Sequence, residues 1–164
     1  MNPADYAQKL QTEIKAISSF SAISSYIYLI EGNTDGDIDT LIRNYMGDKR
    51  NIVIITEVEV EDMDSIASGG YRLYECRAMI YAAFSGSAQK MNFTTDRSIN
   101  TYGTPTQGIS LSTMAEAITT KLKNNTFSGY LNYNGNAMSS GMPYQIEETG
   151  KYVQPIAHTG KRRE

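Results

Sequence analysis

Two alternating runs constrain this chain more than anything else in it. Residues 52–61 set Ile54, Thr56, Val58 and Val60 against Ile55, Glu57, Glu59 and Glu61. Successive side chains of a strand point to opposite faces, so a period of two predicts a strand with one apolar and one acidic face. Residues 71–84 repeat the device. Tyr74, Cys76, Ala78, Ile80, Ala82 and Phe84 form an apolar face, and Tyr71, Leu73, Glu75, Arg77, Met79 and Tyr81 a mixed one. The runs are expected to pair as an antiparallel hairpin over a loop of about nine residues ending in Gly69-Gly70, longer than the usual two to five.

Two segments offer helices to accompany this hairpin. In residues 3–17, Pro3 suits the first turn, Asp5 complements the helix dipole, and Tyr6, Leu10, Ile14 and Ile17 form one stripe. The second helix starts near Thr113, where Thr113-Met114-Ala115-Glu116 fits a capping box. Leu111, Ala115, Ile118 and Leu122 form its stripe, and Asn124-Asn125 ends it. Further strands are expected at 23–30, 129–133, 144–147 and 152–158, with turns at Asn134-Gly135 and Glu148-Thr149-Gly150. Residues 41–46 read as a helical turn stopped by Gly47-Asp48, and 31–40 as a polar turn. The resulting class is α+β: an antiparallel β-sheet with a long central hairpin, an N-terminal helix and a second helix packed on the sheet. One domain is expected over 1–160, with a long surface loop at 85–108, followed by a loose charged tail at 161–164.

Several function classes drop out. A formal net charge of −3 argues against a general nucleic-acid binder. One cysteine, Cys76, excludes an intramolecular disulfide framework and Cys-x-x-Cys chemistry, and its place on an apolar strand face predicts a buried small hydrophobe. The one histidine, His158, is expected to be solvated or to pack. The P-loop, dinucleotide, nucleophile-elbow and H-E-x-x-H motifs are all missing, so no catalytic residue and no cofactor are assigned. Residues 31–39 place oxygen ligands at alternate positions with Gly36 at the sharp turn of a calcium loop. Ile42 stands where the bidentate carboxylate belongs, so no metal is assigned either. The start of the chain lacks the features of a secretory signal. The apolar stretch 20–30 is too short for a span of about 20 residues, which predicts folding in a cytosol and no membrane partner.

The acidic row Glu57, Glu59 and Glu61 is more informative. Three like charges on one strand face cannot be buried unpaired, so they face water, a basic partner or a polar channel. Charge is also divided along the chain: residues 1–75 hold 6 basic and 13 acidic side chains (−7), and 76–164 hold 9 and 5 (+4). Such asymmetry suits head-to-tail association of identical subunits. The 12 tyrosines and 8 methionines suit contact surfaces.

In the order of its elements, at 4–17, 52–61, 71–84, 113–123 and 144–158, the chain resembles the tail terminator or tail-completion proteins of tailed bacteriophages. That resemblance implies a non-enzymatic α+β subunit of a hexameric ring at the head–tail junction. Its partners would be its own copies, the tail tube and the neck or connector proteins. Glu57, Glu59 and Glu61 would then line the lumen, through which DNA passes without specific binding, or an interface. The implied location is the virion, reached from the host cytoplasm. Rival expectations are a head–tail connector or stopper, or a small α+β ligand-binding domain or enzyme acting through carboxylates.

Overall fold

The computed structural model describes residues 2–30, 37–67, 69–86, 109–123, 125–147 and 150–164. Helix α1 (Pro3–Lys15) begins at Asn2, whose side chain accepts from the Ala4 N–H at 3.0 Å, and buries Tyr6, Ala7, Leu10 and Ile14. A 3-10 helix over Ser18–Tyr26 leads into the short strand β1 (Ile27–Leu29). The first half of the strand expected at 23–30 is therefore helical, and strand begins only at Ile27. The cause is visible in Ile17, Phe20 and Ile23, which are buried at intervals of three, the period of a 3-10 helix. Helix α2 (Ile38–Met46) is capped by Asp37 and stopped by Gly47 at φ 51.

Strands β2 (Asn51–Ala67) and β3 (Tyr71–Ser85) form the expected antiparallel hairpin. Its connection is shorter than expected, because pairing continues through Ala67↔Tyr71 and Gly69 and Gly70 turn the chain at φ 88 and 80. Helix α3 (Leu111–Leu122) buries the whole anticipated stripe plus Met114. Its cap is Ser110, which accepts from the Thr113 N–H at 3.3 Å, so Thr113 sits inside the helix and the capping box is displaced. Strand β4 (Asn132–Ser140) passes straight through the turn expected at Asn134-Gly135. Between Asn132↔Lys161 and Ala137↔Thr159 its ladder is irregular, so the extra residues are taken up within the strand. Strand β5 (Tyr144–Gln145) is brief, and β6 (Lys151–Arg163) is long.

The sheet order is β1-β2-β3-β6-β4, with β5 also on β6, and among the described residues only the β1–β2 pair is parallel. This is the α+β class expected. The tail is not loose: Lys161–Arg163 belong to β6, and Glu164 exchanges backbone hydrogen bonds of 2.8 and 2.9 Å with Arg72. A main core lies between the sheet and α1, the 3-10 helix and α3. It takes Val53 and Ile55 from β2, and Cys76, Ala78, Ile80, Ala82 and Phe84 from β3. A second core on the opposite face joins Ile42 and Met46 of α2 to Ile52, Ile54, Tyr81, Ala83, Val153 and Ile146. Consequently β2 is buried on both faces from Asn51 to Thr56. The anticipated loop 85–108 begins inside β3, and its residues 87–108 lie outside the described residues, as do 31–36.

Candidate functional site

The acidic row begins at a β-bulge. Thr56 pairs with Met79 and Glu59 with Arg77, so two β2 residues stand opposite one on β3. Glu57 takes φ 52, the left-handed conformation that glycine adopts most readily. The extra residue reverses the alternation. Val53 and Ile55 face the main core below the bulge, whereas Val58 and Val60 pack against it above. The single face expected for Ile54, Thr56, Val58 and Val60 therefore splits at the bulge. Glu59 and Glu61 end on the same face as Ile54, beyond the reach of α2.

That face of the sheet is open to solvent above the second core. Its β2 column holds Glu57, Glu59 and Glu61, all exposed. On β3, Arg77 lies beside Glu59 in register, 3.2 Å from Glu61, and pairs with Glu75. Hydrogen bonding to Glu75 and the nearby carboxylates hold the Arg77 guanidinium above its ordinary pKa. On β6, Lys161 faces Glu75 and Arg163 faces Leu73. The acidic row is thus one column of a face that grades from acid on β2 to base on β6. The sequence alone does not bring Arg77, Lys161 and Arg163 to this row, although the basic cluster 161–163 is visible there. Met63 (38% exposed) and Tyr71 (51%) stand at the free end of the hairpin, with the Arg163 guanidinium 5.2 Å from the Tyr71 ring centroid.

The remaining chemistry-bearing residues are buried or engaged in contacts within the fold. Cys76 is buried and free, and burial pushes its thiol up to about 11, so it is protonated at neutral pH. His158 is fully buried, Nδ1 hydrogen-bonded to the Tyr6 hydroxyl and its ring stacked on Tyr6 and Phe127. Burial lowers its pKa to about 4 and pushes the Tyr6 phenol well up, so both are neutral. Of the stretch weighed as a calcium loop, Asp37 caps α2 and Asp39 accepts from the Tyr144 hydroxyl at 2.9 Å. Burial and then Asp39 raise the Tyr144 phenol, and burial followed by Glu57 and Asp39 raises Tyr81. Among the described residues no group of three or more His, Cys, Asp and Glu is arranged to hold a metal ion. Nor, among them, is any helix long and apolar enough to cross a membrane. Two open grooves flank α3, one against Ile17 and Ser18, the other against Ser140 and Gln154. Neither reaches the buried Tyr6, Cys76 and His158.

No protein-family model matches the sequence, and no curated protein does. Among solved structures, the fold is similar to that of a chain from the virion of a native gene transfer agent particle. The TM-score is 0.53 over 94% of this chain and 92% of that one, at 9% identity. The likeness is therefore one of fold, carried almost from end to end.

Proposed function

We propose that this protein is a non-enzymatic structural component of a virion, a ring-forming tail terminator or tail-completion subunit at the head–tail junction of a tailed phage. The observation carrying the reading is the fold likeness to a chain of a virion particle, which covers nearly the full length of both. The element order supports the same reading, and so does the charge gradient across the sheet. A subunit whose two sides differ in sign favours a heterologous contact with its copies, and a heterologous contact closes into a ring when its rotation permits. The ring of six would sit between the tail tube and the neck or connector proteins, and DNA would pass through it without specific binding.

Native mass spectrometry of the full chain, with imaging of purified tails, tests this. The expected result is a closed oligomer of six, either in solution or at the tail end. A strict monomer that is also missing from purified virions would reject the reading. A head–tail connector or stopper would share the fold and differ in position, which labelling on intact particles distinguishes.

A further inference from the structure

We propose that neighbouring copies meet edge to edge, the outer edge of β2 in one subunit against the β4 side of the next. Glu57 and Glu59 of the first would face Lys161 and Arg163 of the second. This rests on the ring reading above and names the seam that reading requires.

β1 accompanies β2 only through Leu29↔Ile55, so from Thr56 upward the outer edge of β2 has no strand beside it among the described residues. At the other side of the sheet β4 pairs only with β6, which leaves its outer edge open among the same residues. Unpaired strand edges are templates for pairing with another chain. A β2 edge meeting a β2 edge would set the acidic columns against each other, which is unfavourable. A β2 edge meeting a β4 edge uses both in every copy and is head-to-tail.

Charge then matches across such a seam. Strands lie about 5 Å apart, so Lys161, one strand in from the β4 edge, is within side-chain reach of the next subunit. The pairing of β4 reaches Lys161 opposite Asn132, and the β6 end carrying Arg163 continues beyond it. The bulge at Glu57 adds local twist where the edge becomes free, as a curved, closing sheet needs.

The test uses four full-length proteins: wild type, Glu57→Lys/Glu59→Lys, Lys161→Glu/Arg163→Glu, and the chain carrying all four changes. Native mass spectrometry and sedimentation read assembly, and circular dichroism checks folding. Each double reversal should weaken self-association at least tenfold. The fourfold exchange, and an equal mixture of the two double variants, should restore it. If a reversal unfolds the chain, Glu57→Gln/Glu59→Gln replaces it and should weaken assembly less but in the same direction. Double variants that assemble like wild type would overturn the seam while leaving the ring standing, and would mean that the charges only guard the edge. Rings that form normally but deliver DNA poorly, with relief at high salt, would overturn it in favour of a lumen. A wild-type chain that is monomeric in solution and missing from particles would overturn the ring reading itself.

Discussion

Acid should destabilise this protein through His158, and the size of the effect follows from its surroundings. The ring is fully buried, stacked on Tyr6 and Phe127, with Nδ1 on the Tyr6 hydroxyl and no protein partner for Nε2 among the described residues. The titratable groups packed nearby, Tyr6, Cys76 and Tyr130, are pushed upward, mainly by burial, and stay neutral. None supplies a counter-charge for an imidazolium. Its pKa falls from 6.5 in the unfolded chain to about 4 in the fold. Above pH 6.5 both states are neutral and the full stability is present. Between 6.5 and about 4 only the unfolded chain takes up the proton, so stability is lost, and below that the loss levels off. At about 1.4 kcal/mol per unit, the loss attributable to this residue is roughly 3 kcal/mol. Urea denaturation from pH 7.5 to 4 on wild type and His158→Gln measures it. The variant is less stable throughout, because the Tyr6 bond changes, but the gap between the two should narrow by that amount as pH falls. Parallel curves across the window would refute the burial argument.

Ile80→Ala removes a fully buried side chain from the main core and should cost about 2–5 kcal/mol in urea denaturation. Arg77→Ala, on the open face, should cost under about 1 kcal/mol, and equal losses would show that the strand faces are misassigned. Glu57→Gly should be more stable than Glu57→Ala by about 1 kcal/mol in thermal melts, because only glycine adopts φ 52 without strain; the reverse order would contradict the bulge. Asn51→Ala should cost about 2–4 kcal/mol and expose the chain near Ile109 to limited proteolysis. It deletes paired bonds of 2.6 and 2.7 Å that fasten the Ile109 backbone to the buried start of β2.

Strand β3 was legible because its even residues really are the main-core face, and alternation over 14 positions is hard to mistake. The α1 and α3 stripes were legible for the same reason. The faces of β2 were lost at one residue, since a bulge is set by a backbone angle at Glu57 and no glycine marks it. The second core has its own sign in the sequence. Ile52, Val53, Ile54 and Ile55 are four consecutive apolar residues, the pattern of a strand covered on both sides, and Ile38, Ile42 and Met46 recur at intervals of four. The acidic row was visible as a row, but its counterions were not. In sequence Arg77 reads as part of a mixed face and 161–163 as a tail, and only the pairing of β6 along β3 brings them beside the carboxylates.

That pairing decides what the face can do. The strand order places β3 in the middle, with β1 and β2 to one side and β6 and β4 to the other. The acids of β2 and the bases at the end of β6 therefore stand on two sides of one sheet, and the sign changes near Glu75 and Arg77 on the strand between them. Repulsion of passing phosphates needs a field of one sign over the distance at which DNA feels it. On the open face, Glu57, Glu59, Glu61 and Glu75 are answered by Arg77, Lys161 and Arg163 two strands away or less. Two strand spacings amount to about 10 Å, close to the Debye length of about 8 Å at physiological salt, so the bases cancel most of the acids before the field extends far from the surface. At contact distance no such cancellation occurs. On the proposed seam, a neighbouring chain laid against the β2 edge would meet carboxylates first and would present its own β6 bases to them. A graded face thus loses most of its power to repel at range, which on the proposed seam would leave it the power to select and orient a copy of itself.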